Sequence, residues 1–98
     1  MRTIEIAGKE WKMAYNLRSL FMYEEIAGHP YTGEKLVDSY LLMFAMLMAN
    51  NEEFSMEFDA FIDECDQNPA IAETFGVVMK AENDRLAAYH DKKKAESR

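Results

Sequence analysis

Cysteine is nearly absent from this chain of 98 residues, since Cys65 is the only one. A single cysteine excludes an intramolecular disulfide and any metal site built from several thiolates, and it suits a reducing compartment. Cations are also scarce, with 11 Lys and Arg against 18 Asp and Glu and a formal net charge of -7. Because nucleic-acid binding needs a cationic face, we expect no nucleic-acid partner.

Long apolar runs are missing as well. The longest covers residues 40–49 and has about half of the roughly 20 residues that a helix needs to span a bilayer. Residues 1–5 hold no apolar run of the kind that a secretory signal carries. The sequence therefore predicts no membrane partner, no export and a cytoplasmic location.

Glycine and proline number only four and two, and no stretch rich in them divides the chain. Residues 1–90 are predicted to form a single helical domain with an N-terminal hairpin, and residues 91–98, which lack a large apolar side chain, a polar C-terminal tail. Hydrophobic residues make up 49% of the chain, enough to fill one core. The predicted fold class is mainly α, a small four-helix domain with an N-terminal β-hairpin.

Alternation of apolar and polar residues predicts the hairpin. It places Ile4 and Ile6 on one face and Trp11, Met13 and Tyr15 on another, around a turn in residues 7–10. An isolated hairpin is marginal in water, so its apolar face is expected to pack on the helices or its edge to pair with another chain.

Capping signals predict where the helices begin and end. Asn16 is predicted to cap the first helix and Gly28 to end it. The second helix is predicted to start in residues 32–34 and is apolar nearly all round, which is typical of a helix at the centre of a domain or at an interface. Ser55 is predicted to cap the third helix, and Asn68, followed by proline, to open the fourth.

No residue pattern indicates catalysis or a cofactor. The sequence has no Gly-rich phosphate loop, nucleophile elbow or HExxH motif. Cys65 lies on an apolar stripe, and no third group would orient it beside His29 or His90. Glu24 is expected to be partly buried and to accept hydrogen bonds or pair with a neighbouring cation. We therefore predict no enzyme, no catalytic residue, no cofactor and no metal.

The third helix carries the carboxylates Asp59, Asp63, Glu64 and Asp66. A Ca²⁺-binding loop needs ligands at alternate positions around a central glycine, whereas Asp59 and Asp63 lie one helical turn apart, as on a solvated helix face. The same carboxylates support an alternative function. An acidic regulatory or inhibitor protein could use them in place of phosphates to bind a basic nucleic-acid-binding partner.

The second helix is rich in methionine. Flexible thioether side chains adapt to irregular apolar surfaces, and they are frequent where a protein accepts variable apolar segments. Core filling is the competing interpretation, because an apolar stripe at helical spacing usually faces the core. The candidate partner-binding residues are Leu41, Met43, Phe44, Met46 and Leu47.

The order of short motifs along residues 1–80 resembles that of a known protein family. A hairpin with Ile4, Ile6, Gly8 and Lys9 is followed by Leu-Arg-Ser-Leu-Phe at 17–21, Glu-Glu-Ile-Ala-Gly at 24–28, an apolar helix, and Phe-Asp-Ala-Phe-Ile-Asp-Glu-Cys-Asp at 58–66. This arrangement resembles the small tail assembly chaperones of long-tailed bacteriophages and prophages.

The resemblance implies a protein of the bacterial host cytoplasm that helps to build a phage tail without remaining in it. It would bind the apolar tape-measure protein and keep it soluble until tube subunits polymerise around it, without a cofactor. The resemblance also implies contact with the tail tube protein, which a longer frameshifted form makes in this family. The predicted hairpin edge adds a homo-oligomer to the expected partners.

Overall fold

A computed structural model of the protein describes the backbone of residues 2–96 and the side chains of residues 2–92. Over these residues the chain forms a two-stranded hairpin followed by four helices, which confirms the predicted fold class. The elements are β1 (Arg2–Ile6), β2 (Lys9–Met13), α1 (Leu17–Ala27), α2 (Leu36–Asn50), α3 (Phe58–Gln67) and α4 (Ala70–Glu96).

The hairpin turns at Ala7 and Gly8, which both have positive φ, at 54° and 82°. Positive φ at two turn residues is typical of a type I′ turn, whose twist matches that of the strands. Ile4 lies opposite Trp11 in the antiparallel register. Directly opposite side chains share a face of the sheet, so the prediction that these two residues lie on different faces is wrong.

Two asparagine side chains cover the outer edges of the hairpin. On the β2 edge, Asn51 accepts a hydrogen bond from the Lys12 N–H at 2.9 Å and donates one to the Lys12 carbonyl at 2.8 Å. On the β1 edge, the Asn68 amide donates to the Glu5 carbonyl at 3.3 Å. These bonds occupy backbone groups that an added strand would need, so each edge is partly closed to pairing with another chain.

The ends of α1 and the start of α4 follow the predicted capping residues. Asn16 Oδ1 accepts a hydrogen bond from the Ser19 N–H at 3.0 Å, and Gly28 ends α1 in the left-handed conformation with φ of 79°. Asn68 Oδ1 accepts from the Ala70 N–H at 3.1 Å. Short polar side chains placed beside unpaired helical N–H groups made both starts recognisable from sequence.

The starts of α2 and α3 lie later in the chain than predicted. α2 begins at Leu36, and the Asp38 carboxylate accepts a hydrogen bond from the Lys35 N–H at 3.2 Å, which holds the N-cap residue in place. α3 begins at Phe58 with Glu57 at the N-cap position, so the prediction that Ser55 caps this helix is wrong. Phe54, in the connection before α3, is buried in the core.

α2 is the central element, because it packs against α1, β2 and α3. Its all-round apolar sequence predicted either this position or one at an interface. The Phe44 ring contacts the rings of Phe54, Phe58 and Phe61 at centroid separations of 5.7, 5.4 and 5.6 Å. The buried apolar residues are Ile4, Ile6, Met13, Tyr23, Leu42, Met43, Phe44, Ala45, Met46, Leu47, Phe54, Phe61, Ile71 and Val78.

α4 extends beyond the body of the domain. Its 27 residues make a helix about 40 Å long. Ile71 and Val78 are buried, whereas every side chain from Asn83 to Lys92 is exposed. The predicted polar tail, residues 91–98, continues this helix through Glu96, and residues 97–98 lie outside the described residues.

In the part of the chain that the structure describes, no helix has the length and apolar character needed to cross a membrane.

Candidate partner-binding site

The five residues proposed from sequence as a partner-binding surface lie mostly in the core. Met43, Phe44, Met46 and Leu47 are only 2%, 6%, 0% and 0% exposed, and Leu41 is half-buried. A side chain enclosed by α1, β2 and α3 contacts a partner only if the domain opens. In this conformation four of the five side chains fill the core, and the exposed apolar surface is formed by other residues.

Large apolar side chains are exposed on α1 and on the first turn of α2. Leu17 and Phe21 are 67% and 60% exposed, and Leu36 and Val37 are 77% and 51% exposed. Single exposed apolar residues are ordinary, but a contiguous group indicates a binding surface.

A groove runs along α1. We define the α1 groove by six lining residues, which are Tyr15, Leu17, Leu20, Phe21, Tyr31 and Leu86. It consists of two cavities of about 300 and 560 Å³ that share Tyr15, Leu17 and Leu20. The connection before α1 supplies Tyr15, the loop after α1 supplies Tyr31, and α4 supplies Leu86. The groove therefore exists only when these separate segments are packed together.

A third cavity adjoins the groove at Pro30, which lines both. It has a volume of about 520 Å³ and is lined by the start of α2, including Val37 and Leu41. Leu41, the one predicted partner-binding residue that is only half-buried, thus lines this cavity, together with polar residues that include Thr32 and Lys35.

Charged residues stand at the two ends of the α1 groove. Glu24 lines the end beside Phe21 and is exposed, so the prediction that it is partly buried is wrong. Glu82 and Arg85 line the other end, where the Arg85 guanidinium donates hydrogen bonds to the Glu82 carboxylate and lowers its pKa. Glu24 makes no ion pair with any of the described side chains.

A partly buried polar network fixes the N-terminus of α1. The Asn50 amide donates to the Met46 carbonyl at 2.7 Å and to Ser19 Oγ at 3.2 Å. Ser19 Oγ donates to the Ala14 carbonyl at 2.8 Å, and the Asn16 amide donates to Asn50 Oδ1 at 2.9 Å. The network joins the end of α2 to the start of α1, and so sets the position of the groove wall.

The acidic residues of α3 remain dispersed on the surface. Asp59, Asp63 and Asp66 are exposed and Glu64 is half-buried. No group of three His, Cys, Asp or Glu side chains among those described lies close enough together to hold a metal ion. The arrangement provides a negatively charged face and no chelating site.

Cys65 packs against the core beside these carboxylates. Burial, with smaller contributions from Asp66 and Glu64, raises the pKa of its thiol from the usual 9.0 to about 11. The thiolate is the reactive form, so the thiolate fraction at pH 8 is expected to be about 100-fold smaller in the folded chain than in the unfolded chain.

We expect Cys65 to react much more slowly with iodoacetamide in the native protein than in urea, as followed by mass spectrometry at pH 8. Because its folded pKa lies above the unfolded value, the neutral thiol contributes stability below about pH 9, and this contribution is lost as the pH rises towards 11. Equal alkylation rates in both states would contradict the buried, neutral thiol.

Sequence reasoning missed Leu17, Leu20, Phe21 and Leu86 as site residues. The available signal was on α1, where apolar residues occupy more of the helix circumference than the contact with α2 needs.

No family model, curated protein or solved structure matches this chain.

Proposed function

We propose that this protein binds an apolar helical segment of another protein and keeps that client soluble, as a bacteriophage tail assembly chaperone does for the tape-measure protein. The observation that carries the proposal is the α1 groove, an exposed apolar surface on a domain whose net charge is -7. The choice of the tape-measure protein as the client rests on the family resemblance in the motif order along residues 1–80.

The combination of groove and charge suits a holding function. Apolar contacts in the groove would remove a client's apolar face from water, which is the main source of association free energy. The acidic remainder of the surface would repel other complexes and keep them dispersed. The proposal includes the bacterial host cytoplasm as the location, and the tail tube protein and a second copy of the chain as additional partners.

The proposal is tested by co-expressing the chain with a bacteriophage tape-measure protein. We expect the wild-type chain to keep most of the client in the soluble fraction, and Phe21→Glu to leave most of it in the pellet. A carboxylate placed in the groove would have to be desolvated against apolar side chains when the client binds.

Ala72→Glu is the matched control, because it adds the same charge at an exposed position of α4 outside the groove. Circular dichroism of each variant checks that the fold is retained. Solubility of the client that is the same with wild type and Phe21→Glu would contradict a role of the groove.

The acidic alternative is favoured by the exposure of Asp59, Asp63 and Asp66 on one short helix. As an inhibitor of a basic nucleic-acid-binding protein, the chain would bind through α3, and binding would weaken steeply with salt. Substitution of Asp59→Asn and Asp63→Asn would then abolish binding of the partner, whereas Phe21→Glu would retain it. This result would identify the inhibitor function and not the chaperone function.

A further inference from the structure

This inference rests on the proposed function and adds which kind of protein segment the groove recognises. We propose that the α1 groove binds a single amphipathic α-helix that carries basic residues beside its apolar face. Three features of the structure lead to this occupant: the partly occupied edges of the hairpin, the dimensions of the groove, and the distribution of charge around it.

The backbone of this protein offers little to an extended peptide. Strand addition requires a sheet edge with free N–H and C=O groups, and Asn51 and Asn68 occupy such groups on both edges of the hairpin. Most of the groove is lined by α1 and α4, whose backbone groups are already paired within each helix. An occupant must therefore satisfy its own backbone hydrogen bonds, which an α-helix does.

The dimensions of the groove also fit a helix. α1 has 11 residues and is about 16 Å long, which equals three turns of an occupying helix. The two cavities share Tyr15, Leu17 and Leu20, and one opens towards Phe21 and the other towards Leu86. Apolar side chains one or two turns apart on one helix face would enter the two cavities together.

The charge around the groove selects a basic occupant. The Arg85 charge is balanced by Glu82, whereas the Glu24 carboxylate at the opposite end has no ion-pair partner among the described side chains. The net charge of -7 would also attract a cationic helix during encounter. A lysine or arginine beside the apolar face of the occupant would pair with Glu24.

The test measures binding of fluorescein-labelled 18-residue peptides to the full chain by fluorescence anisotropy. The first peptide has leucine at helical spacing with lysine on its flanks. The second has the same composition with leucine at every other position, and the third replaces the lysines by glutamates. We expect the first peptide to bind and the other two to bind at least about tenfold more weakly.

Variants of the chain assign the binding to the groove. Phe21→Glu and Leu86→Glu are expected to weaken binding of the first peptide at least about tenfold, whereas Ala72→Glu, with the same added charge, leaves it unchanged. Glu24→Lys is expected to weaken binding of the lysine-flanked peptide and to strengthen binding of the peptide that carries glutamates.

Equal binding of the alternating peptide, or binding that Phe21→Glu leaves unchanged, would overturn the inference. Sedimentation of the free chain tests a different occupant, because α4 of a second copy also carries exposed Leu86 and Tyr89. A dimer that Phe21→Glu dissociates would assign the groove to self-association and overturn the inference. If the solubility of the co-expressed client depends on the groove but no helical peptide binds, the proposed chaperone function stands and the proposal that the groove binds a helix is wrong.

Discussion

Replacing Met46 by Glu is expected to unfold the domain. Met46 is fully buried in α2, where it is enclosed by other core side chains, and an ionised carboxylate there would have neither water nor a partner. Burying an unpaired charge costs several kcal/mol, which is comparable to the roughly 5–15 kcal/mol total stability of a small domain. The measurement is urea unfolding followed by circular dichroism at 222 nm.

Val37→Glu is the control for Met46→Glu, because it introduces the same group on the same helix at an exposed position. A carboxylate in the first turn of α2 also interacts favourably with the helix dipole, so this variant is expected to unfold at nearly the wild-type urea concentration. A folded Met46→Glu domain that had lost client binding would instead show that Met46 reaches the interface, as the sequence interpretation proposed.

Asn50→Ala is expected to lower the free energy of unfolding by about 2–4 kcal/mol. The substitution removes the amide that links Ser19 to the Met46 carbonyl, and it leaves Asn16 without its acceptor. Ser19 is completely buried, so water cannot easily replace the lost bonds. Chemical unfolding measures the change, with Asn83→Ala on the exposed part of α4 as the control.

A double-mutant cycle tests whether these side chains act as one network. If they do, Ser19→Ala and Asn50→Ala together destabilise the domain by less than the sum of the single effects, because each single change already disrupts the shared bonds. Strictly additive losses, or a loss below about 0.5 kcal/mol for Asn50→Ala, would contradict the network.

The methionines of α2 have a structural explanation in the core. α2 touches a helix on one side, a strand on another and a short helix on a third. Flexible side chains fill the irregular space between such different surfaces without strain, so Met43 and Met46 suit a central helix as well as they would suit a variable interface. The sequence pattern alone does not separate these two uses.

Local chemistry explains which features could be predicted from the sequence. Asn16 and Asn68 cap helices through hydrogen bonds to residues within three positions of themselves, and Gly28 ends α1 by adopting a positive φ. Such interactions depend on neighbouring residues, so they are visible in a short stretch of sequence. The Ser55 prediction used local sequence alone, whereas the neighbouring Phe54 is buried in the core, a tertiary contact that local sequence does not show.

The sequence by itself determined the helical class, the hairpin and the acidic surface, because periodicity, capping and charge are properties of neighbouring residues. Only the tertiary structure decided which apolar residues are left exposed. Whether Leu17, Phe21 and Leu86 form a groove depends on the packing of α1, α4 and the loop at Tyr31, which are distant in sequence. Burial is a property of the assembled chain, so the core and the exposed apolar surface could be distinguished only after the elements had been brought together.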